Sequence, residues 1–306
     1  MSAGQAQPAL VCRSLTKRFG DTVAVDDLSF DVRAGTVTAF VGANGAGKTT
    51  TMRMLVGLVA PTSGHASVLG RPYRALARPR DIVGAMLEGP GAHPAHRART
   101  HLTITATAAG IPTARVAEVL ELVGLADHAH RRVGTFSTGM RQRLALAAAL
   151  LGDPAVLILD EPSNGLDPPG IAWMRNLLRS LAGEGRAVLV SSHLLPELAE
   201  VADRVVIMDR GRLVADAPLD ELLAGRSRVA ELRCADPAAV VEAISHTGLA
   251  AAQLEGDLVV IEGLSAQEAG ELVSSVGAGP VHHLVERRGT FEDIYFDLAA
   301  TGGGGA

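Results

Sequence analysis

Aromatic residues make up only 3% of the 306-residue chain, with a single tryptophan. A platform that stacks single-stranded nucleic acid needs rings, so that class is set aside. Positive charge is not in excess either. The 28 Lys and Arg face 33 Asp and Glu, a formal net charge of −5, where a surface built to coat a polyanion would carry the opposite balance. No nucleic-acid partner is expected. Cysteine is nearly absent: Cys12 and Cys234 lie far apart and form no C-x-x-C, and they read as buried, reduced thiols of a cytosolic protein. No apolar run reaches membrane-spanning length, since the longest, 144–151 and 155–159, are parted by Gly152, Asp153 and Pro154. If the protein works at a membrane, another chain does the spanning. The small, polar opening from Met1 to Pro8 gives no expectation of a secretory leader.

What is present is a globular composition, 47% hydrophobic and 20% charged, on a chain long enough for one large domain and a small one. The most informative stretch is Gly42-Ala43-Asn44-Gly45-Ala46-Gly47-Lys48-Thr49-Thr50. It has the G-x-x-x-x-G-K-[ST] spacing, an apolar strand predicted before it (36–41) and a helix after it (49–59). Glycines let successive N–H groups curl toward phosphate oxygens, and the new helix adds its positive end. Lys48 would bridge the β- and γ-phosphates, and the Thr49 hydroxyl would ligate Mg²⁺. A nucleoside triphosphate is the ligand this pattern implies.

A second carboxylate-bearing piece fits the first. The apolar run 156–159 ends in Asp160-Glu161-Pro162, as expected of a buried parallel strand whose C-terminal end faces a ligand. Asp160 would hold Mg²⁺, and Glu161 would polarise water against the γ-phosphate. The remaining pattern predicts strands within 11–32 turning at Phe19-Gly20-Asp21, strand pieces at 65–69 and 81–87, and helices at 114–123 and 141–151. Helix 171–181, strand 187–191, helix 195–202 and strand 204–208 then complete an alternating α/β core. Beyond Gly225 the texture changes to strand, helix, strand, helix, strand, helix, with an added strand at 250–254, a split βαβ-like module. The expected division is therefore 1–225, with a helical lobe over about 89–152, then an α+β module over 226–298 and a disordered tail over 299–306.

The piece Phe136-Ser137-Thr138-Gly139-Met140-Arg141-Gln142 places a Ser at a helix N-cap with a free first turn, an anion-binding arrangement. Phosphate loop, this turn and the Asp-Glu strand follow one another in the order seen in the ATP-binding subunit of ABC transporters, which the chain resembles from about Leu10 to Ala224. The resemblance implies an ATPase using ATP and Mg²⁺, on a P-loop NTPase fold with a helical lobe. In that family the signature turn, here Ser137, Thr138, Gly139 and Met140, contacts the nucleotide held by the other subunit of a head-to-tail dimer. Ser137 and Gly139 match the commonest form; Thr138 and Met140 depart from it, in the manner of exporters of bacitracin-like peptides, lantibiotics and other drugs. Asp167, in Ser163-Asn164-Gly165-Leu166-Asp167, matches the D-loop, and His193 the switch histidine of the γ-phosphate. Phe19 matches the aromatic that stacks on adenine, with a hairpin-core role as its alternative. Glu88 stands where the family usually has Gln, and is expected to touch Mg²⁺ and the catalytic centre. The partners implied are a separate integral membrane permease and either a second copy or a homologous ATPase subunit, with the protein peripheral on the inner face of the cell membrane. Two other roles remain open: a soluble ABC-type ATPase acting on ribosome or DNA, and an ATP-gated regulatory module. One visible phosphate loop and no sustained heptads between Lys48 and Ser137 weigh against the former.

Overall fold

The structure is a computed structural model, and it describes residues 8–87, 91–192, 194–224, 228–245, 247, 249, 251–253, 256–288 and 290–302. The chain opens on a hairpin, β1 (Pro8–Phe19) and β2 (Thr22–Arg33), which register antiparallel through several bulges. Both strands are longer than the pieces expected within 11–32, and Phe19 ends β1 rather than sitting in the turn. The fully buried β3 (Val37–Val41) leads into helix α1 (Lys48–Leu55), and β4 (Ser63–Val68) returns to pair with β1. Phe30 of β2 stacks on Phe40 of β3 with ring centroids 5.3 Å apart, joining the antiparallel layer to the central sheet. Burying each such ring contributes about 1.5–3 kcal/mol.

Then follow β5 (Val83–Met86), the helical lobe α2 (Ala98–Ala109), α3 (Arg115–Leu122) and α4 (Thr138–Leu150), and the buried β6 (Val156–Leu159). α4 begins at Thr138 with the Ser137 hydroxyl capping it, as the Ser at that position implied, and the apolar spacing from 141 marks only its later part. Helix α5 (Pro168–Gly183), β7 (Ala187–Ser191), α6 (Leu195–Ala199) and β8 (Arg204–Asp209) complete the expected alternation. The pattern gave no sign of β9 (Arg212–Pro218) or α7 (Leu219–Ala224). β9 is a half-exposed edge strand held by antiparallel pairing to β8, so it carries no apolar run to find.

The central sheet has the order β5-β6-β7-β3-β8-β9, parallel except for β9. Strands β3 and β6 thus flank β7, and the loops leaving the C-terminal ends of all three emerge side by side. An open parallel sheet binds ligands at that edge.

Two compact units divide the chain: one reaches to Leu219 and takes in the segment from Leu298, the other is Asp220–Asp297. Leu219 is buried and its N–H bonds the Asp203 carbonyl, so the break falls there rather than at 225, where composition shifts. The second unit carries β10 (Arg228–Cys234), α8 (Pro237–Ser245), β11 (Ala251–Gln253), β12 (Leu258–Glu262), α9 (Ala266–Val276) and β13 (Val281–Arg288). Its antiparallel sheet, ordered β11-β12-β10-β13, has the ferredoxin-like topology that the alternation suggested. The core lies between one sheet face (Leu232, Val259, Ile261) and the helices (Val240, Ile244, Val273). Helix α10 (Phe291–Gly302) continues through 299–302, which the sequence assigned to the tail; residues 303–306 lie outside the described residues.

Candidate functional site

The loop from β3 to α1 is shaped by where side chains are missing. Gly47, at φ 107, is the N-cap of α1, and a Cβ there would stand 2.4 Å from the Ala24 carbonyl oxygen. Only glycine meets both conditions. No side chain caps α1 and no acidic residue lies in its first turn, so its N–H groups face the loop uncompensated. Such a helix end attracts an anion. Lys48 is only 7% exposed, and its Nζ donates to the carbonyls of Gly42 (2.6 Å) and Ala43 (3.2 Å). Burial lowers its pKa, while the negative charges of Glu161 and then Asp160 push it back up. The ammonium is therefore held by the loop's own oxygens, within the field of both carboxylates.

Thr49 meets Asp160 directly. Its hydroxyl donates to Asp160 Oδ2 at 2.8 Å, and the other carboxylate oxygen accepts from Ser191 Oγ at 2.6 Å. The same Ser191 Oγ accepts from the Glu161 backbone N–H at 3.0 Å. Ser191 is fully buried at the end of β7, between the strands that deliver the phosphate loop and the carboxylates. Glu161 lies at φ 51, a left-handed conformation that costs a β-carbon residue about 1–2 kcal/mol. The bond to Ser191 and the one from Asn164 N–H to the Glu161 carbonyl (3.2 Å) hold it there. Ser191 was not singled out as a site residue. The one available signal was a small hydroxyl closing an otherwise aliphatic strand of this sheet.

Ser137 caps α4, its Oγ accepting from Met140 N–H at 3.2 Å, and Asp167 caps α5 by accepting from Gly170 N–H at 3.0 Å. The signature turn Ser137–Met140 and the D-loop thus both end on helix N-caps. Phe19 is 53% exposed, which removes its hairpin-core alternative. The Lys17 ammonium sits 4.9 Å from its ring centroid and donates to the Ala60 carbonyl. Beside the carboxylates a cavity of about 930 Å³ runs toward the helical lobe, lined by Val83, Leu87, Ile111, Leu144, Tyr73 and Gln142 among others. Trp173 lies on α5 under the Arg143 guanidinium, 3.9 Å from the ring centroid. Glu88 and His193 lie outside the described residues. Of the site residues expected from sequence, the structure brings Gly42, Ala43, Gly47, Lys48, Thr49, Asp160 and Glu161 into one cluster.

A phosphate loop closed by its lysine, with a Thr–Asp pair and a carboxylate at the adjacent strand end, defines a P-loop nucleoside triphosphatase. A family model described as ABC transporter matches residues 25–164. The chain is 43% identical to the bacitracin transport ATP-binding protein BcrA of Bacillus licheniformis, over 72% of this chain and 74% of that protein. It is 34% identical to the Nod factor export ATP-binding protein I of Burkholderia orbicola, over 94% and 95% respectively. A solved ATP-binding subunit of an ABC transporter superposes with a TM-score of 0.64 at 28% identity, over 71% of this chain and 92% of that one. The chain belongs to the ABC transporter family as an ATP-binding subunit, and it is an ATPase. No helix among the described residues is long and apolar enough to cross a membrane.

Proposed function

We propose that the protein is one half of a head-to-tail dimer that closes on two ATP molecules and drives export through a separate integral membrane permease at the inner face of the cell membrane. The cargo is a peptide antibiotic, drug or other hydrophobic compound. The second half is another copy or a homologous ATPase subunit. The observation that carries the reading is the Thr49–Asp160 pair set against the phosphate loop, with Glu161 next in the chain. Two hard oxygen donors 2.8 Å apart suit Mg²⁺, which when bound would neutralise charge on the phosphates. Lys48 exchanges its two loop carbonyls for phosphate oxygens. Glu161 accepts a proton from the attacking water, and Ser191 keeps both carboxylate-bearing residues aimed. His193 contacts the γ-phosphate and Glu88 approaches the same centre. The uncapped amides of α1 bind the chain's own nucleotide, and the Ser137–Met140 turn meets the partner's.

Differential affinity of the closed dimer for ATP over its products is what converts hydrolysis into movement. The cavity beside the helical lobe, lined by apolar side chains such as Leu87 and Leu144 together with polar ones such as Arg80 and Gln142, suits an amphipathic segment of the permease. Support for export comes from the bacitracin and Nod factor relatives. The test is affinity purification of Glu161→Gln from detergent-solubilised membranes in ATP. A multi-span membrane protein in stoichiometric amount is the expected companion. Ribosomes, nucleic acid or no companion would refute the export reading.

A further inference from the structure

Within one chain, the signature turn and the D-loop are packed against each other. Gly165 has φ 74, and a Cβ on it would stand 2.4 Å from Thr138 Cγ2; a Cβ on Gly139 would meet Leu166 Cδ2 at 3.2 Å and the Gly165 carbonyl at 3.4 Å. The Thr138 methyl therefore rests on the bare Cα of Gly165. On its other side, Thr138 Oγ1 accepts from Arg141 Nη2 at 3.1 Å, while Arg141 Nη1 donates to the Phe136 carbonyl at 2.6 Å. Phe136 is 4% exposed, a fixed point for that second bond. A planar guanidinium presents its donors in a rigid fork, so the two acceptors it holds are fixed relative to each other. The D-loop is itself tied back to the catalytic segment: Asn164 N–H bonds the Glu161 carbonyl at 3.2 Å, and Leu166 N–H the Ser163 carbonyl at 3.0 Å. Contacts thus run without a gap from Glu161 through Asn164, Gly165, Thr138 and Arg141 to Phe136.

In the dimer proposed above, Glu161 serves the ATP on its own phosphate loop, whereas the Ser137 turn serves the ATP of the other subunit. We propose that Thr138 and Arg141 are positioning residues forming a link by which one ATP site sets the aim of the signature offered to the other. A glycine at 138, the commoner residue there, has neither the methyl that reads the D-loop nor the hydroxyl that Arg141 holds. The inference rests on the sandwich-dimer reading. Its physical content is one shared pair of contacts, so the two residues act as a unit and not independently.

The test uses the full chain in the Glu161→Gln background, measuring ATP-driven dimerisation by analytical ultracentrifugation and nucleotide affinity of the monomer with a fluorescent ATP analogue. Thr138→Val, near-isosteric but lacking the hydroxyl, should weaken dimerisation about tenfold, the worth of one charge-assisted bond, and Arg141→Ala, which also loses the bond to Phe136, by at least as much. The double variant should be no weaker than the weaker single, and the Arg141→Ala monomer should bind nucleotide within about twofold of the parent. Parent-like dimerisation of Arg141→Ala, multiplied losses in the double variant, or an equal loss of monomer nucleotide affinity would each overturn the link. If the Glu161→Gln parent itself fails to dimerise in ATP, the sandwich reading falls, and the link with it.

Discussion

Replacing Ser191 by Ala removes one oxygen that serves two groups at once. Asp160 Oδ1 loses its 2.6 Å donor, and the Glu161 N–H loses its 3.0 Å acceptor, at a position with no exposed surface. A hydrogen bond to a charged group contributes about 1.5–3 kcal/mol, and a neutral one about 0.5–1.5 kcal/mol. Partial relaxation of the Glu161 backbone from its left-handed conformation offsets some of this, so a net loss of about 3 kcal/mol is expected. For a domain of this size each kcal/mol shifts Tm by about 2–4 °C, which gives a drop of about 6–12 °C. Asp160 and Glu161 would also lose their common reference point. Misplacing reacting groups by about an ångström lowers turnover by up to about 100-fold, so kcat should fall by about 10- to 100-fold, with more Mg²⁺ needed for half-maximal rate. Thermal unfolding followed by circular dichroism and a steady-state ATPase assay across Mg²⁺ concentrations measure both effects. A Tm within about 1 °C of the parent together with an unchanged Mg²⁺ dependence would show that Ser191 fills space and orients nothing.

Gly47→Ala puts a methyl 2.4 Å from the Ala24 carbonyl at a φ that L-residues avoid, so the loop must deform by more than a side-chain rotation. Equilibrium titration should show nucleotide affinity reduced by at least about 100-fold, the equivalent of about 3 kcal/mol, and wild-type affinity would contradict the reading of the loop. Burial pushes the Cys12 thiol up from 9.0 to about 12, with Arg13 pulling the other way. The folded state thus keeps its proton where the unfolded chain loses it. Stability should be independent of this group below pH 9, then fall by up to about 1.4 kcal/mol per pH unit toward 12. Urea unfolding at pH 8, 9.5 and 10.5 checks this against Cys12→Ala, which should lack that part of the slope; equal slopes would refute it.

Legibility followed the range of the interactions involved. The phosphate loop, the Asp160-Glu161 strand end and the Ser137 cap are local: residue types at fixed spacing decide whether a backbone can curl, end or start a helix. The buried strands of the central sheet were legible for the same reason, since burial on both faces demands an unbroken aliphatic run. β9 escaped notice because its pairing with β8, not its own residues, makes it a strand. Ser191 escaped notice because its role requires β7 to lie between β3 and β6, an order the chain does not follow. Thr138 stood out in the sequence only as a departure from a pattern. That its methyl covers Gly165 and its hydroxyl is held by Arg141 follows from α4 and the D-loop meeting in space. The sequence alone determined which groups could bind phosphate and take a proton, because those are properties of residues. Which serine ties them together, and which threonine joins the two halves of the machinery, only the tertiary structure decided, because contacts between distant segments depend on strand order.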